Sequence, residues 1–108
     1  MLVLNRFLVS SDPDTFVERA HAALAELAAS PGYVRGELTR ALDDPTHWCL
    51  LTEWRNVGSY RRALGRYEVK ITATPLLAES LMGPSAYETL AAAEPGGPVQ
   101  VKAGDLAV

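Results

Sequence analysis

Three residues in this chain have side chains suited to a common piece of chemistry: Asn5, Trp54 and Tyr60. An amide, an indole N–H and a phenol set on apolar segments could together align an aromatic ligand and hold a developing oxyanion. Trp54 closes the run His47 to Arg55, which carries aromatics, aliphatics and a Thr with no Gly or Pro, and so reads as a strand. Tyr60 follows on a stripe of Val57, Tyr60, Leu64, Tyr67 and Ile71, recurring every three or four residues as one face of a helix. Asn56 sits between the two, where an N-cap belongs. Asn5 belongs to a first strand, residues 2–10, and an amide on a central strand must find partners or face a cavity. Leu50, Thr52 and Trp54 share parity on their strand. If their face meets the helices, it builds an apolar, aromatic-walled pocket with Asn5, Phe7, Tyr60 and Tyr67. Catalytic groups are then expected at Trp54, Tyr60 and Asn5, and substrate contacts at Phe7, Leu50, Thr52 and Tyr67. Trp54 and Tyr60 also have a plain reading as core aromatics.

Other constellations are weaker. His47 and Cys49 are two potential ligands at i, i+2, too few for a metal site. His21 falls on the flank of the first helix. No glycine-rich phosphate loop and no persuasive Ser-His-acid set occurs, and Glu53 has the wrong parity to act as a base in the pocket.

Positioning these residues falls to one small domain. The chain has 108 residues, 48% hydrophobic and 21% charged, enough to bury roughly 65% of its unfolded surface. No apolar run reaches the roughly 18 residues of a membrane span, and the N-terminus has no basic stretch or cleavage site. One cysteine allows no internal disulfide, consistent with the cytoplasm. A net charge of −3 and a pI near 5.3 argue against nucleic acid as a partner. Residues 55–70 carry five bases and one acid, and Arg62, Arg66 and Lys70 fall opposite the Tyr60/Leu64 stripe. That is the pattern of a solvated helix face, with anion steering as the second reading.

After the first strand, Asp12-Pro13 starts a helix as N-cap and first residue, with Phe16, Ala20, Ala23, Leu24 and Leu27 inward. Ser30-Pro31-Gly32 ends it. A more polar second strand, 33–42, suits a sheet edge, and Asp43-Asp44-Pro45-Thr46 turns into the third, 47–55. A helix over 57–72, a short one from Thr74-Pro75, and a fourth strand over 85–92 complete residues 1–93. Residues 94–108 form a tail with alternating Val99 and Val101, read as an arm that pairs with a sheet edge on a partner subunit. The order β-α-β-β-α-β predicts an α+β, ferredoxin-like antiparallel sheet of order 4-1-3-2. Two helices cover one face only; Leu2, Leu4, Leu8, Cys49 and Leu51 on the other call for a homodimer through that open face.

Ser30-Pro31-Gly32-Tyr33 before strand two, Glu53-Trp54 closing strand three, Tyr60 beyond it and Tyr87-Glu88 in the fourth strand together carry a resemblance. Over about residues 2–92 the chain resembles the antibiotic biosynthesis monooxygenase family of dimeric α+β barrels. The resemblance implies oxygenation of hydrophobic aromatic, polyketide-like metabolites by O2 without metal, flavin or haem, so no cofactor is expected. It also implies roles for Trp54 and Tyr60, which match a Trp and a Tyr that quinone-forming members use. Those members use an Asn four residues before the Trp and a later helical Arg; here the positions hold Leu50 and Thr74. Haem-degrading members share the strand-one Asn, matched by Asn5, but their helical His has no counterpart after His47. Two other readings use the same cavity: a non-catalytic small-molecule binding protein and an aromatic polyketide cyclase.

Overall fold

The alternation along the first strand sorts its side chains cleanly. Val3, Asn5 and Phe7 are buried on one face, while Leu2, Leu4, Arg6 and Leu8 point to the other. In the computed structural model, which describes residues 1–104, this strand is β1 (Leu2–Leu8). It is followed by α1 (Pro13–Ala28), β2 (Tyr33–Arg40), β3 (His47–Trp54), α2 (Val57–Leu64), α3 (Tyr67–Thr72) and α4 (Thr74–Leu77). Three two-residue strands complete it: β4 (Ala86–Tyr87), β5 (Ala91–Ala92) and β6 (Gln100–Val101). The antiparallel sheet has the order β2-β3-β1-β4, so strands one and three are central as the patterning predicts. Leu50, Thr52 and Trp54 share the buried inner face with Val3, Asn5 and Phe7. Phe16, Ala20, Ala23 and Leu27 of α1 pack against that layer. Asp12 caps α1 through Thr15, and Pro13 opens the helix. No helix among the described residues is long and apolar enough to cross a membrane.

Three expectations are corrected. The helix expected over 57–72 is broken. α2 ends at Gly65, and Arg66 is extended with ψ 141. Glycine weakens a helix interior by about 1 kcal/mol. The Arg66 guanidinium gains two bonds in exchange, to the Glu26 carbonyl at 2.9 Å and the Ser30 hydroxyl at 2.6 Å. The restart turns α3, so Val69 and Ala73 face inward while Tyr67 and Ile71 are 73% and 60% exposed. The inward stripe therefore stops at Leu64.

The fourth strand is the second correction. Only Ala86–Tyr87 pairs with β1, opposite Leu2 and Val3. Further along the same edge, the Leu81 N–H reaches the Arg6 carbonyl from a loop rather than a strand. The third concerns the tail. Gln100–Val101 pairs with Ala91–Ala92 of its own chain, and the Lys102 N–H bonds the Leu90 carbonyl at 2.8 Å. The edge that its alternation called for lies within the same chain; residues 105–108 of the expected arm lie outside the described residues.

The outer sheet face carries no helix among the described residues. Leu2, Leu4, Cys49 and Leu51 are half-buried there, and Leu8 is exposed. Its β2 margin is charged, with Arg35 bonded to Glu53 and Glu37. Arg19 joins α1 to the segment after α4 through Glu79, whose carboxyl it holds below the usual carboxylate range. That contribution is present at neutral pH and fades as pH falls through the lowered value; on this exposed surface it is small.

Candidate active site at the strand-to-helix corner

The turn from β3 into α2 is held on both sides. Asn56 caps α2 as expected: its Oδ1 accepts from the Ser59 N–H at 2.8 Å and the Ser59 hydroxyl at 2.9 Å. From the other side, Gly32 lies against Ser59 with φ +88, and its carbonyl accepts from the Arg55 N–H at 2.8 Å. Only glycine fits there, because a Cβ would stand 2.3 Å from the Ser59 side chain. These contacts place Tyr60 one turn into α2.

Trp54 is 1% exposed and lies between two tyrosines. Its ring centroid is 5.5 Å from that of Tyr33 at 85° and 5.5 Å from that of Tyr60 at 54°. Its indole N–H donates to the Thr52 hydroxyl at 2.8 Å. Indole has a single donor, so that bond changes the expected role of both residues. Trp54 forms a wall, and Thr52 holds the wall in place. Tyr33, flagged only by the Ser-Pro-Gly-Tyr motif, completes the aromatic stack.

Of the three side chains Thr52, Trp54 and Tyr60, the polar group left available is that of Tyr60. It is half-buried, burial pushes its phenol up so that it stays protonated, and its hydroxyl has no hydrogen-bond partner among the described residues. Two hollows adjoin across Tyr60 and Leu64. One, of about 650 Å³, lies between α2 and β4 with Val57, Arg61, Ala86 and Tyr87 on its walls. The other, of about 620 Å³, adds Lys70, Thr74 and Leu77. Together they form an apolar groove of the size that takes small molecules. Lys70, expected on a solvated face, is exposed, and beyond the helix break at Gly65 it stands at the rim of this groove.

Other expected residues lie elsewhere. Asn5 is buried on the inner face, in register with Leu50, and its amide has no partner among the described residues. No fully buried side-chain polar atom among those residues lacks a partner, so the amide reaches open space. Leu50 is core, 1% exposed. Phe7 is not at the groove: it packs on Phe16 at 5.2 Å, beside a separate hollow of about 270 Å³ that holds Arg19 and Glu79. Tyr67 is exposed at the start of α3, for the reason given by the Gly65 break. Among the described residues no three His, Cys, Asp or Glu side chains cluster as metal ligands.

The family model described as Antibiotic biosynthesis monooxygenase matches residues 1–73, the segment holding β1 to α3 and the whole Trp54–Tyr60 corner. The chain belongs to the antibiotic biosynthesis monooxygenase family. Among solved structures of similar chains is SnoaB, a cofactor-independent oxygenase from Streptomyces nogalater. It is 30% identical, with 82% of this chain and 94% of that chain covered and a TM-score of 0.66. A SnoaB variant matches at 31% identity over 74% of this chain and 82% of that one, also with a TM-score of 0.66. A conserved protein from Methanosarcina mazei Go1, 22% identical over 79% of this chain and 84% of its own, has a TM-score of 0.62 and bears on the fold alone. No curated protein matches the sequence. Within the antibiotic biosynthesis monooxygenase fold, this chain sets its Tyr60 phenol and Thr74 on one groove, with apolar Leu50 in the core.

Proposed function

We propose that this protein is a cofactor-independent monooxygenase that oxidises a hydrophobic aromatic, polyketide-like metabolite with O2, acting as a cytoplasmic homodimer. The observation that carries the reading is the Tyr60 phenol, without a partner among the described residues, packed on the Trp54 ring in an apolar groove. The chain's 30% identity to SnoaB, a cofactor-independent oxygenase, supports it. The substrate supplies the electrons. An acidified CH2 of an anthrone loses a proton, and its carbanion reduces O2. One oxygen stays as the new carbonyl, and the other leaves as water with the two hydrogens. The protein's part is to exclude water, align the ring on the aromatic wall and donate a hydrogen bond from Tyr60 to the developing oxyanion.

Tyr60→Phe is the direct test. Its hydroxyl leaves no protein partner unsatisfied, so thermal stability should change little. Oxygen uptake with an anthrone should fall about 10²- to 10³-fold. Uptake at the wild-type rate would remove Tyr60 from the chemistry. Wild-type protein that takes up no O2 but closes rings anaerobically would be the cyclase; binding without turnover would make it a binding protein.

The homodimer rests on Leu4, Leu51 and Leu8, which the chain's own helices leave on the outer face. Sedimentation at micromolar concentration should give a dimer, and Leu51→Arg should split it into folded monomers. A wild-type monomer would end this part of the reading.

A further inference from the structure

The groove is apolar along its floor but not at its rim. Arg61 of α2 and Lys70 of α3 both line it. Neither side chain has a hydrogen-bond or ionic partner among the described residues. Their neighbours in sequence are engaged: Arg62 reaches the Ser59 hydroxyl at 3.4 Å, and Arg66 is tied to Glu26 and Ser30. The groove is also short of bases. His47 lies beside Asp44 at 3.4 Å on the far end of β3, and His21 is exposed on α1. Tyr60 and Tyr87 are the groove's phenols, Thr74 its hydroxyl on α4, and Glu88 the carboxylate on the β4 side, already engaged in an interaction of its own.

Two unpaired cations over an apolar floor, with no imidazole beside them, call for a ligand that brings its own negative charge. We propose that the groove takes its substrate as an anion: a polycyclic aromatic carrying an acidic phenol or enol, held ionised by Lys70 and Arg61. This deepens the monooxygenase reading and rests on it for the location of the site. An opposite charge within about 4–6 Å lowers an acid's pKa by roughly 1–3. The cations thereby do what a general base would otherwise do: the substrate's proton passes to solvent on binding, and the electron-rich anion is left in the groove.

A hydroxyanthraquinone tests this apart from turnover. It is already a quinone, and ionisation of its phenol shifts its absorption to longer wavelength. Bound to the full-length protein, the dye should ionise at least about one pH unit below its free value. At a pH where the free dye is mostly ionised, it should bind about tenfold more tightly than its O-methyl ether. In the Lys70→Gln/Arg61→Gln double variant the bound dye should ionise at the free value and lose that preference, while ether binding stays unchanged and reports an intact groove. Lys70→Arg should retain the preference. The proposal is overturned if the dye does not bind, if it ionises at or above its free pH when bound, or if the double variant keeps the shift. An anionic dye in the groove without O2 uptake on any anthrone would sink the monooxygenase reading and leave this one standing.

Discussion

Replacing Gly32 by alanine is expected to lower the unfolding free energy by about 3 kcal/mol and Tm by roughly 10–20 °C. Two costs combine. At φ +88 an L side chain pays about 1–2 kcal/mol for the left-handed backbone. The new Cβ also meets the Ser59 Cβ and Oγ at 2.3 Å, in a place where Ser59 is 4% exposed and fixed by Asn56. Overpacking of this kind costs about 1–3 kcal/mol. The strain is relieved by moving the start of α2, which carries Tyr60, so activity should fall further than the fraction unfolded explains. Gly58→Ala is the control: its Cβ would meet the movable tip of Arg62 at 3.1 Å, and α2 gains a better helix former. Thermal melts with oxygen-uptake rates measured well below Tm check both. Equal stability for Gly32→Ala and wild type would mean that the β2 entry does not brace the corner.

The elements that could be read in the sequence are those with a long, consistent period. The parity of β3 set Leu50, Thr52 and Trp54 on one face and that of β1 sorted Asn5 from its neighbours, as found, while the order of elements predicted the strand order. Asn56 and Asp12 were legible as caps because a cap is a local hydrogen bond. Legibility ended where a distant partner overrode a local pattern. The stripe through Tyr67 and Ile71 is regular, but Arg66 finds Glu26 and Ser30, some forty residues earlier, and the helix turns at Gly65. That one event leaves Tyr67 exposed and sets Lys70 beside the candidate groove. Thr52 and Trp54 were legible as neighbours on one face, but not as partners. Parity says which way a side chain points, and not whether its donor is already used.

Trp54→Ala is expected to be the most damaging single substitution, at about 3–5 kcal/mol. Set against the roughly 5–15 kcal/mol that a domain of this kind has in total, that leaves it marginal. The ring is 1% exposed and touches both Tyr33 and Tyr60, so its loss opens a cavity under the groove wall. A sharper test separates ring from hydrogen bond. Thr52→Val keeps the volume but leaves the buried indole N–H without its acceptor, costing about 1–3 kcal/mol. Trp54→Phe removes the donor and part of the ring, and Thr52→Ser keeps the acceptor and should restore most of the loss. In the Thr52→Val/Trp54→Phe double variant neither polar group is stranded, so its destabilisation should fall short of the sum of the singles by about 1 kcal/mol. Chemical denaturation of the four proteins measures that coupling. Additive losses would show that the 2.8 Å contact contributes nothing beyond packing. With the coupling present, Thr52→Val should also lower the oxygenation rate more than it weakens substrate binding, because the wall that Tyr60 rests on has lost its anchor while the groove keeps its lining.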